Sequence, residues 1–232
     1  MKNILNKIKE INSDIYLISD THFYHQGILN ISPSRLTMMQ IDGYGYSVND
    51  HEHWLTDNWN SIIKKDDTVL FLGDFAFNYE KKVLDKLNGK KIMILGNHDK
   101  KLLNLKWQNA ILISGIFIED NNTIIHHKNN TNTENNQLLS AIIKTINGIK
   151  YMFTHYDIFT DDIYDLNNSK ISSMMEYLKS LFFKYSCDKL IHGHTHAKFS
   201  KLPDISYNVS VEHIDYRPIQ LKKLIKYTVE KA

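Results

Sequence analysis

The chain has 232 residues, 42% hydrophobic and 23% charged, which excludes disordered and fibrous classes and leaves length enough to bury roughly 70% of the unfolded surface. Lys and Arg number 28 against 26 acidic residues, so a net charge of +2 gives no global field to recruit nucleic acid or membrane. One cysteine, Cys187, excludes an internal disulfide; no apolar run approaches the roughly 20 residues of a membrane helix, and Lys and Glu interrupt the N-terminal stretch where a leader would be apolar. A cytoplasmic protein forming one domain over 1–232 is expected. Residues 2–11 carry Ile4, Leu5, Ile8 and Ile11 at the spacing of a short amphipathic helix. DIYLIS (14–19) reads as a strand stopping at Asp20, and 24–50, with Gly27, Pro33, Gly43 and Gly45, reads as a long loop. Residues 49–63 form a helix capped by Asn49, with Trp54, Leu55, Trp59, Ile62 and Ile63 on its apolar face and His51 and His53 on its solvated face.

TVLFLG (68–73) is a second strand, 79–88 a short helix stopped by Gly89, and KIMILG (91–96) a third strand. ILISGIFI (111–118) is an apolar stretch, and the Asn- and Thr-rich 119–137, with His126 and His127, reads as an exposed loop. SAIIKTI and IKYMFT flank Asn147-Gly148, the signature of a two-residue hairpin. Residues 171–185 have helical periodicity, and 156–186 reads as a helical insertion that could cap a site. KLI (189–191) is a fifth strand, and the tail from Ile205 reads as strands followed by a short helix. Strand–helix alternation without repeats points to an α/β fold.

Five of the strands run directly into side chains that bind metals. DIYLIS leads to Asp20-Thr21-His22, TVLFLG to Asp74, and KIMILG to Asn97-His98-Asp99. KYMFT leads to His155, and KLIHG to His194-Thr195-His196. Singly, each has a structural alternative: an Asx turn at Gly-Asn-His-Asp, or a satisfied core histidine at His155. In α/β sheets, however, ligands bind at the carboxyl ends of strands, where such loops converge. Carboxylate, imidazole and amide oxygen without thiolate suit Mn²⁺ foremost, with Fe, Zn²⁺, Ni²⁺ or Co²⁺ as alternatives. Asp20, His22, Asp74, Asn97, His155, His194 and His196 are too many donors for one ion. They suffice for two if one carboxylate bridges. Two ions and two carboxylates leave about +2 for a hydroxide and an anionic substrate, which favours a phosphate ester.

The ordered set Asp-x-His, Gly-Asp, Gly-Asn-His-Asp, His and Gly-His-x-His is similar to that of the calcineurin-like metallophosphoesterases. ISDTHFYHQGIL, Arg35, DNWN (57–60), LGDF (72–75) and IHGHTH resemble a small bacterial and phage group of predicted phosphoesterases. The resemblance implies an α/β, four-layer sandwich in which two mixed β-sheets pack face to face with helices outside. It also implies that Asp20, His22 and His196 hold one metal, that Asn97, His155 and His194 hold the other, and that Asp74 bridges. His98 would contact the phosphate and act as general acid, and Asp99 would orient His98. Arg35 and His25, in the loop after the first motif, are candidates for substrate contact. The reaction implied is hydrolysis of a phosphodiester or phosphomonoester by a hydroxide on a binuclear metal centre. The substrate would be a small phosphoester, such as a nucleotide, and the protein a monomer or homodimer. A nuclease is the alternative enzyme, although scattered Lys offers no strand-tracking groove. A non-catalytic, metal-stabilised binding module is the alternative from another class, opposed by the complete set of motif positions.

Overall fold

The computed structural model describes residues 2–78, 80–104, 109–120, 123–127, 139–196, 202 and 204–224. After a first helix, α1 (Lys2–Glu10), strand β1 (Tyr16–Ile18) pairs in parallel with β2 (Thr68–Leu72). β2 pairs with β3 (Lys90–Ile94), and β3 with β4 (Ala110–Ile113), also in parallel. β2 and β3 are buried along nearly their whole length, as unbroken apolar runs in the middle of a parallel sheet should be. An eleventh strand, β11 (Ile219–Gln220), adds antiparallel to the free edge of β1 and completes a five-stranded mixed sheet.

The second sheet has six strands. β5 (Gly115–Asp120) lies between β6 (Thr123–His127) and β7 (Ser140–Ile146), and β8 (Ile149–Thr154) follows β7. β9 (Lys189–His192) and β10 (Ser206–Asn208) extend it in parallel. Asn147 and Gly148 both adopt positive φ, 51° and 83°, so the β7–β8 hairpin closes with the two-residue turn its sequence predicts.

Period-two alternation shows how the sheets stack. Phe117, Ile142, Phe153 and Ile191 of the second sheet join Leu70, Phe71, Ile92 and Ile94 of the first in one core. Their neighbours Ile116, Ile118, Ile143, Met152 and Leu190 face the other way, into a second core. That outer core is closed by α7 (Ser169–Lys184) through Met174, Met175, Leu178, Leu181 and Phe182. The two sheets therefore pack face to face with helices outside, as the resemblance implied. Segment 156–186, read as a cap, places α7 on this outer face, while its shorter α6 (Ile163–Asn167) approaches the strand ends described below.

Several local expectations are corrected. Residues 24–50 are not a loop throughout: they contain α2 (Ile28–Ile31) and α3 (Pro33–Ile41). Pro33 occupies the first turn of α3, where a missing N–H costs nothing. The next helix, α4 (Val48–Ile62), is capped by Ser47 rather than Asn49, with Ser47 and Asp50 closing a capping box. His53 is exposed as expected, but His51 is fully buried. The helix read at 79–88 is α5 (Glu80–Lys86). ILISGIFI divides at Gly115, whose φ of 104° lets the chain leave the first sheet as β4 and enter the second as β5. Within 119–137, residues 123–127 form β6 instead of loop, with His126 stacked on Phe117 and His127 hydrogen-bonded to Tyr177; residues 121–122 and 128–138 lie outside the described residues, as does the tail from 225. Among the described residues, no helix is long and apolar enough to cross a membrane.

The α4 cap supplies a direct test of these local rules. Ser47→Ala removes the acceptor of the Asp50 N–H and the donor to its carboxylate. We expect it to lower the unfolding free energy by about 1 kcal/mol in a denaturant titration; no change would mean that the cap does not hold the helix.

Candidate metal centre

β1, β2 and β3 run in parallel, as do β8 and β9, so all five motif loops emerge at strand carboxyl ends. The turns there are strained. Asp20, His22, Asp74, His194 and His196 all have positive φ, between 40° and 69°. Each such non-glycine residue costs about 1–2 kcal/mol, and a concentration of them marks a functional site. Glycines make the close approaches possible. A Cβ on Gly96 would stand 2.2 Å from Asp74 Oδ1, and one on Gly193 2.2 Å from Asp20 Oδ2.

These turns bring together two groups of donors: Asp20, His22 and His196, and Asp74, His155 and His194. Asn97 joins the second, its Oδ1 3.0 Å from His155 Nε2. The two carboxylates divide their oxygens in the same way. Asp20 Oδ2 accepts from the His194 backbone N–H at 2.9 Å and from Ser210 Oγ at 3.1 Å. Its Oδ1 is buried, has no hydrogen-bond partner among the described residues, and lies 3.7 Å from His22 Nε2 and 4.0 Å from His196 Nε2. Asp74 Oδ1 accepts the His98 backbone N–H at 3.0 Å. Its Oδ2 is 3.8 Å from His22 Nε2 and 3.6 Å from His155 Nε2, so it faces both groups at once.

Three imidazoles are turned by acceptors behind them. His155 Nδ1 donates to the Leu72 carbonyl at 2.8 Å, leaving the Nε2 lone pair inward. His194 Nε2 donates to Asp165 Oδ1 at 2.9 Å, and His196 Nδ1 to Glu212 Oε1 at 3.1 Å, leaving Nδ1 and Nε2 inward respectively. Such outer partners are how proteins fix the tautomer of a metal-ligating histidine. His155 Nε2 and His194 Nδ1 stand 3.1 Å apart, two lone pairs facing one another beside a carboxylate oxygen. A divalent cation satisfies such a set of acceptors.

The electrostatics agree. Burial pulls His22 down to a pKa of about 4 and His155 to about 3, so both rings are neutral at pH 7 and free to donate a lone pair. Burial, then the carboxylates of Asp99 and Asp20, push Asp74 well above the usual carboxylate range. Burial also opposes charge on Asp20, but His22, His155 and His196 outweigh it and hold that carboxyl well below its usual range. Cations between the two carboxylates would offset this repulsion. The residues present therefore fit divalent metal.

The remaining candidates divide. His98 is 46% exposed, with Nε2 3.9 Å from Asp74 Oδ2 and its ring against Phe77; burial and the neighbouring His25 and His194 lower its pKa. Its ring is the most exposed of the motif histidines. His25 is half-buried against Phe77, with Nδ1 accepting from the Gly27 N–H. Asp99 does not orient His98. Its carboxylate accepts backbone N–H groups of Asp74, Phe75 and Gly96, so it ties the Asp74 turn to the Asn97 turn. Arg35, read as a phosphate ligand, is wholly buried, and its guanidinium is spent on the Asp20 and Thr21 carbonyls and on Glu212. His192 is buried behind the metal loop, Nδ1 on the Gly193 carbonyl. Asp165 and Glu212 were not anticipated, because single carboxylates 29 residues before His194 and 16 after His196 carry no spacing signal.

A sequence model described as the calcineurin-like phosphoesterase superfamily domain matches residues 14–207. An uncharacterised protein of Methanocaldococcus jannaschii is 29% identical over 223 residues, covering 91% of this chain and 89% of its own. The gene 66 protein of Mycobacterium phage L5 is 32% identical over 93 residues, 38% of this chain and 40% of its own. Among solved structures, a protein of unknown function from Aquifex aeolicus is 27% identical, covers 91% of this chain and 97% of its own, and superposes with a TM-score of 0.63.

The packing around Gly193 yields a prediction independent of catalysis. Gly193→Ala would drive a methyl group into the Asp20 carboxylate and the Ser19 hydroxyl, and it is expected to reduce uptake of Mn²⁺ measured by equilibrium dialysis while circular dichroism stays unchanged. Undiminished uptake would show that Asp20 does not need its present place.

Proposed function

This chain belongs to the calcineurin-like phosphoesterase superfamily, and from that premise we propose that it hydrolyses a small phosphoester, a diester before a monoester, with two divalent ions held side by side. Asp20, His22 and His196 would hold one ion, and Asn97, His155 and His194 the other. The observation that carries the two-ion reading is the place of Asp74 Oδ2, within 3.8 Å of an imidazole nitrogen in each group. When bound, the ions supply Lewis acidity toward the phosphoryl group and acidify water near neutral pH.

The chain's own residues do the rest. Asp74, pinned through Oδ1 and through its backbone by Asp99, keeps Oδ2 fixed between the two groups. The neutral rings of His22 and His155 remain available as donors through the physiological range. His98 has its backbone tied to Asp74 while its ring stays half in solvent, so the ring is free to meet substrate. It donates the proton that the departing ester oxygen needs. A net charge of +2 over the chain supports small substrates above polynucleotide.

Activity on aryl phosphodiesters should disappear with EDTA and return with Mn²⁺. Full activity in metal-free protein would end the proposal, and turnover of no phosphoester would favour a binding module. Rates on aryl mono- and diesters, cyclic nucleotides and single-stranded DNA, measured together, rank the substrate classes; a strong preference for DNA would point to a nuclease instead.

The role of His98 has a separate test. His98→Ala should lower kcat by about 10²–10⁴ on an ester with an alkoxide leaving group, with both ions retained. The loss should be smaller for a p-nitrophenyl ester, whose p-nitrophenolate departs without protonation. Loss of an ion, or no cost on the alkoxide ester, would remove His98 from this role.

A further inference from the structure

The second group takes its orientation from the Leu72 carbonyl and from Asp165 on α6. The first group takes it from a different source. Glu212, in the 3-10 turn Val211–His213, offers one oxygen, Oε1, to three hydrogen-bond donors. These are His196 Nδ1 at 3.1 Å, Ser32 Oγ at 2.8 Å and Arg35 Nε at 2.8 Å, while Arg35 Nη2 closes the ion pair at 2.7 Å. The same guanidinium reaches onward, with Nη2 donating to the Asp20 carbonyl at 2.7 Å and Nη1 to the Thr21 carbonyl at 2.8 Å. Those carbonyls belong to the turn in which Asp20 and His22 are held at φ 57° and 49°. One ion pair thus grips all three residues of the first group: Asp20 and His22 through the backbone between them, and His196 through its ring.

Both partners are buried, Arg35 completely and Glu212 to within 3% of its side chain. Removing two charges from water is costly, and a buried pair adds little over apolar residues of the same volume. Stability alone therefore does not account for it. The planar fork does, since a guanidinium can hold a carboxylate and two carbonyls in fixed directions while a lysine offers a point charge.

We propose that Arg35 and Glu212 are positioning residues for one of the two metal sites, setting the His196 ring and the Asp20–His22 turn while leaving the other site to Leu72 and Asp165. This rests on the two-ion reading above. It makes affinity at the first site separable from affinity at the second by mutation of residues that would ligate neither ion.

The test is Mn²⁺ titration of chelator-treated protein by calorimetry. Wild type should take up two ions; uptake of fewer would overturn the two-ion reading itself rather than the positioning role. Glu212→Gln and Arg35→Lys should each weaken one ion by about 10–100-fold and spare the other. Two backgrounds identify which. With His155→Ala, which cripples the second site, adding Glu212→Gln should weaken the remaining ion by the same factor. With His22→Ala, which cripples the first, it should change nothing. Equal effects in both backgrounds, or none in either, would overturn the proposal. Should the variants fail to fold, long-range nitrogen NMR on zinc-loaded wild type reads the ring directly. The His196 proton should sit on Nδ1, shared with a carboxylate, and a ring bound to zinc through Nδ1 would overturn the assignment.

Discussion

Two buried carboxylates, each with one oxygen committed to the backbone and the other turned toward imidazoles, are the constraint around which this fold closes. Asp20 commits Oδ2 to the His194 N–H, and Asp74 commits Oδ1 to the His98 N–H. Each bond also joins two motif loops, so the hydrogen bond that aims a donor is the one that assembles the site. Asp99 repeats the device from beneath, gathering the N–H groups of Asp74, Phe75 and Gly96. Burial pushes Asp99 up to about 6 against the pull of those N–H groups. The site is a lattice of charge in an apolar cage, and it is costly unless cations complete it.

The cage meets part of that cost. Left-handed turns at five donor positions are strained, and they persist only where the surroundings over-determine them. Here the surroundings are strands buried on both faces, with Leu70, Phe71, Ile92 and Ile94 locking the sheet whose ends the turns cap. Gly73, Gly96 and Gly193 are the other half of the arrangement. Each sits where a methyl group would strike a donor residue of the neighbouring motif. These three glycines reflect close approach of backbone to carboxylate or ring, not flexibility.

How much of this was legible in the sequence follows from what each feature depends on. Apolar runs ending in Asp, Asn or His are local patterns, so the inner strands and the seven candidate ligands that gather at their ends could be read directly. The α2 and α3 helices could not, because glycines and Pro33 advertise breaks whether or not a helix begins there. The split of ILISGIFI between two sheets depends on one dihedral at Gly115. Arg35 was misread for a reason of another kind. A guanidinium just after a metal motif fits phosphate binding and structural clamping equally well, and only its depth separates the two. The partners of Asp99 were not legible, because adjacency to His98 in sequence says nothing of where a carboxylate points at a strand-end turn.

Depth, in the end, sorts the cations of this site by function. A guanidinium keeps its charge at any depth, so Arg35 can sit at 0% exposure and act as a permanent fixture once Glu212 balances it. An imidazole loses its proton when buried, so the inner histidines His22 and His155 become neutral donors. His98, at 46% exposure, keeps the most solvent of the motif histidines, and its backbone is anchored on Asp74. The same residue type is thus suited to donate a lone pair or to carry a proton according to the solvent it retains. Had Arg35 and His98 exchanged depths, the permanent charge would sit at the rim and burial would strip the ring of its proton.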